Sequence, residues 1–292
     1  MTMVTSEALR TAEHFISRNA RLLDRLRFAY HFQSGPTGPV LTALDCYRNI
    51  DGGYGNGLDP DLRGHGSQPL AVETALRLLD ELGPLPRDTA ASACRYLTGV
   101  ARPDGGVPPV LPSARHTDAA PQWHDADDFT GALRPTAALA GLLHKHHACG
   151  PWRDRATAFS WTRIGALHWT DPEEAIAVCT FLQHVPDRPR ADAELTRLRP
   201  MIRAVIDLDP DSTGPVHHPL DIADHPDHIA RRIFTDAEIE AHLDALERAQ
   251  LPDGGWDTPL STWTPTAHTE RRAMTTVRNL LVLRAYGRLP RR

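Results

Sequence analysis

Gln250-Leu251-Pro252-Asp253-Gly254-Gly255-Trp256 is the stretch that decides the fold class, because its Asp-Gly-Gly centre recurs at Asp51 and at Asp104. Asp51 and Asp104 stand 53 positions apart, and Asp104 and Asp253 stand 149 apart, close to three times as far. A period of roughly 50 residues over a chain of this length implies about six units, and therefore a repeat architecture. The flanks agree. Residues 250–256 read Q-x-x-x-G-x-W, and 48–54 keep that spacing with Arg48 and Tyr54 at the ends, whereas Asp104-Gly105-Gly106-Val107 lacks the aromatic.

After each turn a polar loop leads to a proline that opens an apolar segment: Pro69-Leu70-Ala71-Val72, Pro135-Thr136-Ala137-Ala138 and Pro265-Thr266-Ala267. Proline suits the first helical position, where its missing N–H would have no intrahelical partner anyway. Each unit therefore reads as helix, glycine turn, loop, helix. Leu9, Ala12, Ile16, Leu23, Leu26 and Tyr30 recur at helical spacing, as do Leu139, Leu142, Leu143 and His146, giving apolar stripes. Further helices are expected over 87–100, 152–168, 171–185, 191–208 and 235–250. Strand-like alternation is nearly absent. The expectation is an all-α chain of about ten to twelve helices in antiparallel hairpins, closed into one single-domain ring over residues 1–292.

Composition narrows the function classes. The formal charge is −5 with histidine neutral, and the basic residues are scattered among acids, so nucleic acid is not an expected partner. The apolar run at 136–143 is far too short for a membrane span. No basic-then-apolar leader opens the sequence, which predicts a cytoplasmic protein. Cys46, Cys94, Cys149 and Cys179 form no C-x-x-C pair and read as buried free thiols.

The complete Q-x-x-x-G-x-W, the repeated D-G-G turns and the paired helices resemble the terpenoid cyclase and protein-prenyltransferase superfamily, squalene-hopene cyclases included. The resemblance covers nearly the whole chain at the level of the repeat period and implies an (α/α) toroid. It also implies that the turns are structural, with the glutamine capping helix ends and the aromatic stacking on the neighbouring unit. Gln250, Trp256 and Tyr54 are then scaffold before they are site.

Three clusters carry candidate chemistry. From the second glycine of each turn to the helix-opening proline the loops run 16, 29 and 10 positions, and the longest contains Trp123-His124-Asp125-Ala126-Asp127-Asp128. Asp125 to Asp128 match D-x-D-D, the motif by which class II terpene cyclases protonate a double bond or epoxide. Carried over, the resemblance makes Asp127 the general acid and Asp125 and Asp128 its hydrogen-bonding neighbours. Clustered carboxylates suit that task because like charges at short range cannot all ionise. In the family the motif runs through Thr-Ala straight into a helix; here Phe129-Thr130 follow and the helix opens at Pro135. The first loop offers Asp59, Asp61 and Arg63, with Arg63 suited to a bidentate grip on a carboxylate or diphosphate, or to an ion pair that pins the loop. The third cluster, 217–228, holds four histidines and three aspartates, but its two prolines and irregular spacing fit no helical ligand pair, so a polar loop is expected and no metal. His144, Lys145, His146 and His147 close a helix, where cations complement its dipole.

The reading is a terpene cyclase-like protein acting on an isoprenoid or similar apolar small molecule, with proton-initiated cyclisation or isomerisation as its chemistry. Asp127 is the acid, Asp125 and Asp128 its partners, and Trp123, His124, Asp59, Asp61, Arg63 and Trp256 the substrate contacts, the two indoles offering π-faces to a carbocation. No cofactor is required; Mg2+ enters only with a diphosphate substrate. Helical toroids also host glycosidases and epimerases, so a carbohydrate-active enzyme using Asp61 and Asp127 is one alternative. A non-catalytic binding scaffold is another.

Overall fold

The structure, a computed structural model, describes residues 6–148, 150–258 and 262–289. It is all-α. Thirteen α-helices and no strand occur among the described residues: α1 (Ser6–Asn19), α2 (Leu22–Phe32), α3 (Thr37–Asp45), α4 (Pro69–Leu82), α5 (Arg87–Val100), the single turn α6 (Pro121–His124), α7 (Leu133–Lys145), α8 (Pro151–Gly165), α9 (Pro172–His184), α10 (Arg188–Val205), the single turn α11 (Pro219–Ile222), α12 (Asp236–Arg248) and α13 (Pro265–Ala285). Proline opens α4, α8, α9 and α13. In α7, Arg134 is extended at φ −92° and ψ 120°, so the regular helix begins at Pro135 as the sequence predicts. Side chains close several starts: Asp171 accepts from Glu174 N at 2.9 Å, Thr264 accepts from Ala267 N at 3.1 Å, and Thr235 and Glu238 form a reciprocal capping box.

The chain divides into two compact units, one formed by Leu44–Val205 and the other by Met1–Ala43 with Ile206–Arg292. In the first, α7 packs against α4, α8 and α9 and is buried from Pro135 to Leu143. A Cβ on its Gly141 would stand 2.6 Å from the Thr180 carbonyl oxygen, so glycine permits the close approach of α7 to α9. In the second unit, α13 packs against α1, α2 and α12, burying Ala273, Thr276, Val277, Leu280 and Leu283. Arg288, 2% exposed, gathers Glu240, Asp244 and Glu247 from one face of α12. Burial works against its charge, but those three carboxylates outweigh it and raise its pKa.

The three Asp-Gly-Gly segments fold alike. In each, the aspartate carboxylate accepts from the second glycine's N–H, at 2.9 Å for Asp51 and 3.1 Å for Asp104 and Asp253. The first glycine of each lies at positive φ, +88°, +93° and +91° at Gly52, Gly105 and Gly254, a conformation open to glycine. Each turn also docks on a helix in one way. A Cβ on the first glycine would meet helix backbone, the Ser92 oxygen at 2.6 Å, the Arg155 carbonyl carbon at 2.8 Å and the Thr11 oxygen at 2.1 Å. A Cβ on the second would meet the aromatic ring one turn further along the same helix: Tyr96, Phe159 and Phe15. Turns one, two and three thus sit on α5, α8 and α1. The next residue is buried in all three, as Tyr54, Val107 and Trp256. In the second and third turns a threonine hydroxyl receives its N–H, Thr136 from Val107 at 2.9 Å and Thr276 from Trp256 at 3.0 Å.

Gln250 bridges rather than ends a helix. Its Nε2 donates to the Ala8 and Gly254 carbonyls, both at 2.9 Å, fastening the third turn to the first turns of α1. Of the cysteines, Cys94 and Cys179 are buried and in no disulfide, and burial pushes the Cys179 thiol up to about 12. Cys46, expected inside, is exposed at the end of α3; Cys149 lies outside the described residues.

Candidate functional site

The two loops singled out in the sequence as carriers of polar chemistry meet in the unit formed by Leu44–Val205. Backbone bonds zip them together: Arg63 N to Asp118 O at 2.8 Å, Ala120 N to Asp61 O at 2.9 Å, and Leu70 N to Pro109 O at 3.1 Å. Beneath the zip lies a small apolar cluster of Leu62, Leu70, Val110, Ala114 and Ala119, against which Trp123, Ala126 and Phe129 pack. These apolar side chains, interspersed in a polar stretch, hold the long loop down and fix where its aspartates point.

They point outward. Asp125, Asp127 and Asp128 are all exposed. His124 pairs with Asp125 at 2.8 Å, and both side chains face solvent. The backbone N–H and side chain of Thr130 hold the Asp128 carboxyl below its ordinary range, favouring the ionised form. A carboxyl that protonates carbon must stay neutral near pH 7, which takes burial or an ionised neighbour at close range; the exposed Asp127 lacks that burial. Trp123 is half-buried with its ring on the apolar cluster. Trp256, expected at a substrate, is 2% exposed and donates from Nε1 to Leu246 O at 2.8 Å; it is a strut between the third turn and α12. Of the first-loop residues, Asp61 is buried, while Asp59 accepts from Asp61 N at 2.9 Å.

Between the zipped loops is a cavity of about 80 Å3, lined by Leu62, Gly64, Gly66, Gln68, Ser113, Ala114 and Thr117. Gln68, at the N-cap of α4 and 5% exposed, organises it. Its Oε1 accepts from Leu111 N at 2.7 Å and its Nε2 donates to Ser113 Oγ at 3.0 Å. Ser113 is therefore an acceptor from the amide and keeps its own hydroxyl hydrogen to donate, while Leu62 and Ala114 supply an apolar wall. No charged side chain belongs to that lining. Neither Gln68 nor Ser113 belongs to a motif; the only trace of Gln68 in the sequence is its place before the helix-opening Pro69.

The histidine segment 217–228 folds as α11 and its flanks. Asp221 accepts from His218 N at 2.7 Å and pairs with Arg278 at 2.6 Å. Burial alone would raise the Asp221 carboxyl, but Arg278, the His218 N–H and His217 together lower it. No group of three or more His, Cys, Asp or Glu among the described residues is arranged to hold a metal ion. His146 ties helix ends, its Nε2 against Asp80 at 2.8 Å and its Nδ1 accepting from Leu85 N at 3.1 Å. No described helix is long and apolar enough to cross a membrane.

The fold and loop pair define a class, an all-α protein of helix hairpins, and no finer family: no family model and no curated protein matches the chain. A solved structure shares the fold. It is titled "Crystal structure of a protein from Actinoplanes" and is 20% identical with a TM-score of 0.60, the match covering 97% of this chain and 99% of that one.

Proposed function

We propose that this chain is a binding protein for a small, neutral, hydrogen-bonding molecule, held in the cavity between the two zipped loops. The observation that carries it is the cavity itself, where a nine-tenths-buried Gln68 donates to the hydroxyl of the exposed Ser113 at its mouth, beside an apolar wall. At about 80 Å3 the space is well below the roughly 300–1,000 Å3 of drug-sized sites and equals the liquid volume of about three waters. A ligand of a few non-hydrogen atoms fits, with an acceptor for Ser113 and a small apolar face. Gly66 supplies the test, because a Cβ built on it meets nothing within 4 Å. Gly66→Leu should crowd the cavity at its exposed rim and leave folding intact. In ligand-observed NMR with a panel of small neutral amides, alcohols and ketones, the wild type should retain hits that Gly66→Leu loses. A wild type without hits, or hits that survive unchanged in Gly66→Leu, would end this reading.

The reading as an isoprenoid cyclase draws its support from the resemblance and from the D-x-D-D match, and the exposure of Asp127 weighs against it. Its own test is turnover of a prenyl diphosphate or polyprene alcohol. Product formation that drops at least about a hundredfold in Asp127→Asn, the scale for losing a general acid, would restore it, with the loop closing inward during catalysis.

A further inference from the structure

In the unit formed by Met1–Ala43 and Ile206–Arg292, two imidazoles 24 positions apart in the sequence lie against each other. His218, at the start of α11, and His242, in the middle of α12, have ring centroids 5.3 Å apart at 51°. Their tautomers follow from their partners. His242 Nδ1 is 2.7 Å from the Glu238 backbone oxygen, and His218 Nδ1 is 3.3 Å from the Asp207 backbone oxygen. A carbonyl oxygen only accepts, so each Nδ1 carries the hydrogen and each neutral ring keeps its lone pair on Nε2. A backbone carbonyl fixing Nδ1–H is the usual outer support of a metal-ligating histidine.

His242 adds an independent sign. It is 3% exposed, and its Nε2 is buried with no hydrogen-bond partner among the described residues. Buried polar atoms are ordinarily satisfied, and an exception calls for an explanation such as an ion. The surroundings suit a cation. Asp207, half-buried, has its carboxylate fixed by the Asp209 N–H, which donates to it at 2.9 Å. Asp207 N donates to His217 O at 2.8 Å and the Asp207 backbone oxygen meets His218 Nδ1 at 3.3 Å, which closes the loop from Asp207 to His217 and holds Asp207 against His218. Asp221 is already engaged by Arg278 and the His218 N–H.

We propose that His218 and His242 form a two-imidazole anchor for a borderline divalent transition-metal ion, of the Cu2+, Ni2+ and Zn2+ class that imidazole favours. Three protein donors are not assembled here, so water fills the remaining positions and Asp207 supplies the nearby negative charge. The ion gives the buried His242 nitrogen its missing partner and cross-links α11 to α12.

The experiment titrates tag-free, chelator-stripped protein with Cu2+, Ni2+ and Zn2+ salts in turn by calorimetry, and records the Cu2+ complex by electron paramagnetic resonance. One equivalent should bind, with hyperfine coupling from two nitrogens and a rise in melting temperature that follows from binding to the folded state alone. His218→Ala should weaken binding at least tenfold and remove the thermal shift. His225→Ala, which deletes an exposed histidine of the same segment, should change neither. His242→Gln keeps a polar side chain at the buried position and should also lose the two-nitrogen signal; a folded His242→Gln that retains it would overturn the assignment. Absence of stoichiometric binding, or binding that survives His218→Ala or disappears in His225→Ala, would overturn it equally.

Discussion

Gly254→Ala isolates what the docking of an Asp-Gly-Gly turn contributes to stability. Gly254 lies at φ +91°, so any side chain there carries left-handed strain, about 1–2 kcal/mol. Its Cβ would also stand 2.1 Å from the Thr11 carbonyl oxygen and 2.3 Å from the Thr11 carbonyl carbon. Both are backbone atoms of α1 and cannot rotate away, so relief requires the turn to lift from the helix. That lift strains the two Gln250 bonds, the packing of Gly255 on the Phe15 ring and the seat of Trp256. Overpacking of this kind costs about 1–3 kcal/mol, and the two effects together come to about 2–5 kcal/mol. Gly287 is the control. It belongs to the same unit, lies at φ +72°, and a Cβ on it meets nothing within 4 Å, so Gly287→Ala should show the strain alone. Urea unfolding followed by circular dichroism gives both losses, and Gly254→Ala should exceed Gly287→Ala by at least about 1 kcal/mol. Equal losses would refute the docking geometry inferred for the turns.

Two further outcomes follow from buried polar groups. Tyr96 is the docking ring of the first turn, where the other two turns use phenylalanine, and its hydroxyl is buried without a hydrogen-bond partner among the described residues. Burial, with Asp51 adding to it, raises its pKa far above the ordinary phenol. Tyr96→Phe should therefore stabilise the protein by about 1 kcal/mol, the lower end of an unsatisfied group's desolvation penalty; a loss of similar size in the same urea assay would show that the hydroxyl has a partner in solution. Asp221 has a lowered pKa when folded, so its contribution is present above the unfolded carboxylate range and is lost as pH falls through the folded value. Melting temperature measured downward from about pH 5 should fall more steeply in wild type than in Asp221→Asn, and parallel curves would contradict the Arg278 pairing.

The sequence makes the helices legible because their signals are local. Proline at the first position places the starts of α4, of the regular part of α7 and of α13, and the expected 87–100 helix coincides with α5. The apolar stripe from Leu9 to Tyr30 misleads in one respect: the chain breaks at Ala20 and Arg21 into α1 and α2, since spacing by sevens runs through a short bend as easily as through a helix. The Asp-Gly-Gly motif foretells a tight turn, yet not its seat. The Ser92/Tyr96, Arg155/Phe159 and Thr11/Phe15 pairs share only a four-residue spacing with an aromatic second member, too common a pattern to find without coordinates.

The residues of the proposed sites leave little trace in the sequence for a different physical reason. A short acidic motif such as Asp125 to Asp128 draws attention through residue type, but protonation at carbon depends on burial, and burial is set by neighbours the motif does not contain. Here Trp123, Ala126 and Phe129 spend the loop's apolar surface on the cluster beneath it, which turns the intervening carboxylates to solvent. The groups with unmet or spare hydrogen-bonding capacity, His242 and the Gln68–Ser113 pair, are single polar residues in ordinary contexts, and Gln68 and Ser113 come together only because the two loops pair through backbone bonds. A residue's chemistry is written in its side chain, whereas its availability is decided by the hydrogen-bond ledger of the fold, and it is the second of these that directs attention away from the aspartates and towards the cavity and the paired imidazoles.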